Sequence, residues 1–306
     1  MDTLFSIGYF ALGLVAAPFL SGIVNRTKAV FAGRRGQPLL QAYYDLWKLR
    51  RKGAVYSRTT SWVFRASPVV GVSCMWTVLT LLPICNSHSL VWFEGDLILF
   101  VYLFGLMRFF TVIAALDTGS SFEGMGASRE VFFSALAEPA LIFGLAALAR
   151  KTGSISLSGI FGGVSAATWM ASAPVFGLVA VAFMIVFLAE NSRIPVDDPN
   201  THLELTMIHE VMILDYSGPD LAMVLYSASL KFWALGALVV NVFLPLADLS
   251  GSALVAVFLI GMIVVAIVVG VIESAMARLS LLKVPQLLVG AGVLSTLAFV
   301  LVLRYV

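Results

Sequence analysis

The sequence predicts an all-α protein that crosses a membrane about eight times with both termini outside, and three observations lead there. The first is polarity. Sixty per cent of the residues are apolar and 12% charged, about half the charged share of a soluble globular domain. So few charges cannot clothe a compact body, and much of the surface must meet lipid. The second is length. Apolar stretches at 4–24, 68–85, 97–116, 131–149, 171–190, 221–244, 252–272 and 286–303 approach the roughly 20 residues that span a hydrocarbon core of about 30 Å. They lack period-two alternation, and backbone in lipid must bond within its own segment, so they are helices.

The third is charge asymmetry. The 25–67 loop holds Arg26, Lys28, Arg34, Arg35, Lys48, Arg50, Arg51, Lys52, Arg58 and Arg65 against one acid, Asp45. Loops on the same side add Arg129, Arg193, Arg278 and Lys283, while the opposite side has only Arg150, Lys151 and Arg304. Lysine and arginine accumulate in cytoplasmic loops, so the basic loop is expected inside. Met1-Asp2-Thr3 runs into apolar sequence without the basic n-region of a signal peptide, and the first helix is expected to be retained. Residues 1–306 then form one integral membrane domain with a basic loop at 25–67 and an acidic one at 191–220.

Cys74 and Cys85 share one apolar segment. Two thiols are too few for an iron–sulfur cluster, which takes about four, so they are read as small apolar side chains. Within the basic loop, Pro38 to Arg51 has the pattern of an interfacial helix. Pro38 can open it, and Leu39, Leu40, Tyr43, Leu46 and Trp47 recur at helical spacing. It would lie in the headgroup plane beside anionic lipid. Arg34, Arg35, Lys48, Arg50 and Arg51 offer the same surface to a soluble partner.

Ionisable residues inside a span are costly and point to function. Arg108, Glu138, Glu190 and Lys231 fall within roughly 15 Å of the inner boundary, at 1.5 Å of rise per residue. Two acids and two bases at one depth suggest a shared hydrated cavity. The plainer reading makes them two structural ion pairs, Arg108 with Glu138 and Lys231 with Glu190.

The 191–220 loop carries Asp197, Asp198, Glu204, Glu210, Asp215 and Asp220, one arginine, Arg193, and two histidines. Helical spacing from Thr201 to Leu214 puts His202, Thr206, His209 and Glu210 on one side, with Glu204 and Asp215 on the opposite flank. Clustered carboxylates and a histidine titrating near neutrality could pass protons to the intramembrane acids. His202 and His209 are two turns apart, unlike the one-turn pair of a zinc helix. Metal ligation and simple solvation of a surface helix are the competing readings.

Ala189-Glu190-Asn191-Ser192-Arg193-Ile194-Pro195 resembles the Ala-Glu-x-x-Arg-x-Pro signature of the quinone-chamber subunit of respiratory complex I. The following residues, Val196 to Glu210, look more like its relatives in energy-converting hydrogenases of the formate hydrogenlyase and hydrogenase-4 type. Thr118-Gly119-Ser120, Gly124-Met125-Gly126-Ala127-Ser128-Arg129-Glu130, Glu138-Pro139 and Asp45-Leu46-Trp47-Lys48-Leu49 are similar to the same group. The chain departs from the family at Gly36-Gln37-Pro38, at Glu123, where relatives often carry a small residue, and at Val196-Asp197-Asp198.

The resemblance implies a subunit without a redox centre of its own. Its partners would be a peripheral hydrogenase-like large subunit, a small iron–sulfur subunit and antiporter-like membrane subunits; iron–sulfur clusters and a nickel–iron centre would lie in those partners. The chain would anchor that arm in a prokaryotic cytoplasmic membrane and couple electron transfer to proton or ion movement. The proton path would use Glu138, Glu190, Asp197, Asp198, Glu204, His209, Glu210 and Asp215, with Arg108, Arg193 and Lys231 as charge partners. The alternative is a quinone-chamber subunit of an NADH:quinone-type oxidoreductase. More remote are a stand-alone transporter, which would show repeated halves, and an intramembrane hydrolase, which would need a nucleophile and base within the membrane. Nucleic acid is not an expected partner.

Overall fold

In hydrocarbon a peptide group finds no water, so each membrane segment closes its hydrogen bonds as a helix. The computed structural model describes residues 2–83, 88–197, 207–249 and 251–304, and no strand occurs among them. The helices are α1 (Asp2–Phe31), α2 (Gln41–Arg50), α3 (Trp62–Leu81), α4 (Asp96–Asp117), α5 (Ser121–Thr152), α6 (Leu157–Gly162), α7 (Ala166–Ala171), α8 (Ala173–Glu190), α9 (His209–Met212), α10 (Gly218–Phe243), α11 (Gly251–Ala275) and α12 (Val284–Arg304). Eight of these, α1, α3, α4, α5, α8, α10, α11 and α12, are long and apolar enough to cross a membrane. The all-α, multi-pass reading holds.

The bundle has two packed neighbourhoods. Helix α5 lies against α8 and α12, while α3 packs on α4 and α10, and α1 on α10 and α11. Helix α10 packs on α1, α3, α8 and α11 and so joins them, and Trp233 at its centre is fully buried, edge-on against Phe258 of α11. Alternating direction brings one end of each of the eight spans to the same end of the bundle, where α1 and α3 meet the basic loop and α8 and α10 the acidic one; it is called the basic end below.

Some boundaries differ from expectation. Helix α5 starts ten residues before the predicted 131, because Arg129 and Glu130 interrupt the apolar run without interrupting the helix. Both have ordinary helix propensity, and the turn at Gly119, with φ 72°, sets the start instead. Helix α3 likewise begins at Trp62, where the Ser61 hydroxyl accepts from the Val63 N–H, a standard N-cap. The helix expected over Pro38 to Arg51 covers Gln41–Arg50, so Pro38 precedes it by a turn. The predicted helix over 201–214 is helical only at His209–Met212 among the described residues. Met207 and Ile208 stay outside because Asp197 accepts the Ile208 and His209 N–H groups at 3.2 and 3.3 Å.

The basic loop is fastened across the bundle. A Cβ on Gly22 of α1 would lie 2.0 Å from the Leu39 carbonyl oxygen, so only glycine lets the loop pass. Gly218, at φ 56°, meets Gly53 in the same way, a backbone conformation that glycine adopts at little cost. Nearby, Val55 N–H donates to Ser217 at 2.9 Å, Tyr56 donates to Asp220 at 2.7 Å, and Ser61 N–H donates to Asp117 at 2.6 Å.

Candidate functional site: a charge cluster beneath a cavity

Four helices each bring charge to one point near the basic end. Arg108 projects from α4, Glu130 and Glu138 from α5, Glu190 from the last position of α8, and Lys231 from α10. Arg108 uses its fork on two acids: Nη1 donates to Glu138 Oε1, and Nη2 to Glu190 Oε1 at 2.7 Å. Lys231 Nζ lies 2.7 Å from the other Glu190 oxygen, and Glu130 Oε1 lies 3.8 Å from Arg108 Nε. The predicted four therefore meet. Both pairs of the plainer reading form, Arg108 with Glu138 and Lys231 with Glu190, and they are not separate, because the Arg108 guanidinium bridges both acids. Planar bidentate geometry makes arginine suited to this and lysine unsuited.

Burial within the cluster is uneven. The Glu190 side chain is 7% exposed and Glu138 39%. Glu190 is thus an interior acid, while Glu138 is partly exposed, between α4 and α5 and close to Gly105. Pro139 follows it and leaves α5 without one backbone N–H there.

Above the cluster is a cavity of about 280 Å³ walled by α1, α2, α10 and the two loops. Asp45, Glu190, Arg193, His209, Glu210 and Lys231 line it. The cluster is thus joined to the acidic loop through open space, as expected for Glu190, Lys231, His209 and Glu210. His209 departs from expectation in one respect. Burial, reinforced by the charge of Lys231, pushes its imidazole down to about 4, so it is neutral rather than titrating near neutrality.

The other predicted residues stand outside the charge cluster, although Arg193 and Asp197 both border the cavity. Arg193 lines the cavity, but its ion-pair partner is Glu273 of α11 at 3.2 Å, and its guanidinium stands 5.4 Å from the Phe232 ring. Lys28 Nζ reaches the same carboxylate at 2.6 Å, and the Glu273 side chain is fully buried. Asp197 is buried and ion-paired to Arg278 at 2.9 Å. With its two backbone contacts, it is the post that holds α9 in place. Asp215 is exposed and does not line the cavity. Asp198, Glu204 and His202 lie outside the described residues. Arg34, Arg35, Lys48, Arg50 and Arg51 are all exposed, and Arg51 sits 4.6 Å over the Trp47 ring.

Sequence reading singled out neither Glu130 nor Glu273. The apolar runs put Glu130 just before a span and Glu273 just after one. The available signal was vertical position: Glu273 lies at the level of Lys28, and Glu130 lies eight residues, about two helical turns, before Glu138. Asp45, the single acid of a basic loop, faces the cavity for an analogous reason.

The geometry can be set beside known proteins. The chain matches the family model described as NADH dehydrogenase over residues 5–304. It is 34% identical to formate hydrogenlyase subunit 4 of Escherichia coli (strain K12) over 307 residues, covering 98% of both chains. It is 31% identical to hydrogenase-4 component C of the same organism, covering 90% of this chain and 88% of that one. Its fold is similar to that of a chain in the membrane-bound sulfane sulfur reductase, an archaeal respiratory membrane complex, with a TM-score of 0.81 at 20% identity over 98% and 99% of the two chains. Given eight spanning helices and a family match along nearly the whole length, the chain belongs to the NADH dehydrogenase family of complex I subunit 1-like membrane proteins.

Proposed function

We propose that this chain is the membrane anchor and proton- or ion-coupling subunit of a complex-I-like assembly, of the energy-converting hydrogenase or formate hydrogenlyase kind. The similarity to two hydrogenase-type relatives over most of their length supports that branch. The observation that carries the coupling role is the Arg108 bridge: one cation joins a partly exposed acid, Glu138, to an interior acid, Glu190, which borders the cavity.

In this reading the basic end faces the cytoplasm, and the exposed cations of α2 and its approach seat a peripheral arm. That arm holds the iron–sulfur and nickel–iron centres and passes electrons; this chain moves none. Electron arrival changes the charge above the cavity. Glu210 and the neutral His209, which can accept a proton at one nitrogen while giving one from the other, pass the change to Glu190. Arg108 then redistributes its hydrogen bonds between Glu190 and Glu138. Antiporter-like membrane subunits receive the change from Glu138.

The test is Glu138→Gln and Glu190→Gln in the intact complex. Each is expected to assemble and to lose ion movement driven by electron transfer by about a hundredfold, the scale of removing one proton-transfer group. Unchanged ion movement in both assembled variants removes the pair from the mechanism.

A second reading draws on the cavity itself. Its volume approaches the roughly 300 Å³ lower bound of ligand pockets, and Leu46, Val224, Leu225 and Phe232 give it an apolar wall. A quinone head would fit that mixture. A short-tailed quinone analogue that inhibits the complex, and loses potency in Val224→Trp, would favour this reading; indifference to such analogues would remove it.

A further inference from the structure

The three carboxylates around Arg108 are not equivalent. Glu138 and Glu190 each accept a hydrogen bond from the guanidinium, and Glu190 also meets Lys231. Glu130 has no such bond: at 3.8 Å its oxygen is beyond hydrogen-bond range of Arg108 Nε, and that buried Nε has no hydrogen-bond partner. Two cations thus face three acids, and the loosely held acid is Glu130.

A charge surplus at this depth is costly. Removing an ion from water without full compensation carries a penalty of several kcal/mol. The groups facing Glu130 are Arg108 from α4, Lys231 from α10 and Glu190 from α8; with Glu138, which shares Arg108, three acids stand against two cations and one negative charge is left over when all are ionised. The neighbouring loop does not cancel it. Asp197 is matched by Arg278, and His209 is neutral.

Beside Glu130 lies a hollow of about 10 Å³, bordered by Ser134, Glu190, Ser192 and Asp197 as well as apolar side chains of α5. That is on the order of one water molecule, and it offers the several polar neighbours a buried water needs. Asp197 in turn accepts the backbone N–H of His209. The hollow therefore connects the loosely held acid to the post beneath α9.

We propose that Glu130 carries the exchangeable proton of this cluster, and that one water in the adjoining hollow exchanges it with the Asp197 end of the acidic loop. In each exchange an O–H bond on Glu130 breaks as one forms on the water, and the water releases one of its own protons to the next acceptor. The cluster alternates between neutral and singly negative. This rests on the coupling role proposed above and names the proton-bearing residue within it.

The experiment is infrared difference spectroscopy on the intact complex from native membranes, paired with ion movement in sealed vesicles. A deuterium-sensitive carbonyl stretch of a protonated carboxylic acid is expected in the parent. It should vanish in Glu130→Gln and persist, shifted, in Glu130→Asp. Ion movement should fall about tenfold or more in Glu130→Gln and return in part in Glu130→Asp. Ser128→Ala, on the exposed side of α5, should alter neither. A band that survives Glu130→Gln, or is unshifted in Glu130→Asp, places the proton elsewhere and overturns the proposal. The Glu130→Asp spectrum decides the matter if Glu130→Gln does not assemble. Full ion movement in Glu130→Gln, with loss in Glu190→Gln, refutes the role of Glu130 alone. Full ion movement in Glu130→Gln, Glu138→Gln and Glu190→Gln alike refutes the coupling reading beneath it.

Discussion

Arg193 turns away from Glu190, its near neighbour in sequence, and instead pairs with Glu273 at 3.2 Å, eighty residues further along. Lys28 completes the contact from α1. Three separate segments, the end of α1, the start of the acidic loop and the end of α11, are pinned at one carboxylate.

Glu273→Ala should therefore destabilise the protein by about 3–5 kcal/mol, since it strands two partly buried cations. Thermal unfolding in detergent would read this as a clear drop in midpoint. Adding Lys28→Met should recover part of the loss, because one stranded charge goes with it. A single variant as stable as the parent would show that the contact contributes nothing.

Arg108→Lys tests the bridge. The charge survives, but an ammonium is a point donor and cannot hold two acids in a fixed fork. Assembly is expected, with ion movement reduced about tenfold or more, a loss of order 1.4 kcal/mol or greater. Parental coupling would mean that charge alone suffices and that the shared geometry is incidental.

Gly22→Ala places a methyl group 2.0 Å from the Leu39 carbonyl. Overpacking of this kind costs about 1–3 kcal/mol, and here the simplest relief is for the loop to lift from α1. Limited proteolysis within residues 32–61 should accelerate in the variant. An unchanged cleavage rate would show that α1 yields instead.

His209 gives a pH dependence of defined sign. In the unfolded chain an imidazole takes up a proton near 6.5, whereas in the fold it does so near 4. Its contribution to stability is complete above about 6.5. It diminishes as pH falls through that window at up to about 1.4 kcal/mol per pH unit, and changes no further below about 4. Unfolding midpoints measured from pH 7 to pH 4 should decline less steeply in His209→Asn. Parallel curves would show that the imidazole is not buried as described.

Eight helices and their shared end were legible in the sequence because each is set by a local property, the unbroken apolar run and the cations in the loops. Arg108, Glu138, Glu190 and Lys231 were legible for the same reason: charge within a run is conspicuous. Glu130 and Glu273 were not, since each stands one residue outside an apolar stretch, where hydropathy alone ends a helix that the backbone continues. The acid that Arg193 pairs with was not legible, because the turn at Asn191–Ser192 carries the guanidinium past nearby Glu190 to Glu273 of α11, eighty residues away in sequence. The fate of Asp197 was equally hidden. Nothing in one dimension distinguishes a proton carrier from a carboxylate that ties down two N–H groups and an arginine.

The seam between the 53–61 segment and the α9–α10 connection gives the molecule a mechanical property. Gly53 against Gly218, Val55 with Ser217 and Tyr56 with Asp220 work as successive stitches, and the stitched connection begins a few residues beyond His209 and Glu210. A load borne by the cationic loop would reach the α9–α10 connection through these contacts. A body seated on that loop could tug on the roof of the cavity without ever reaching inside.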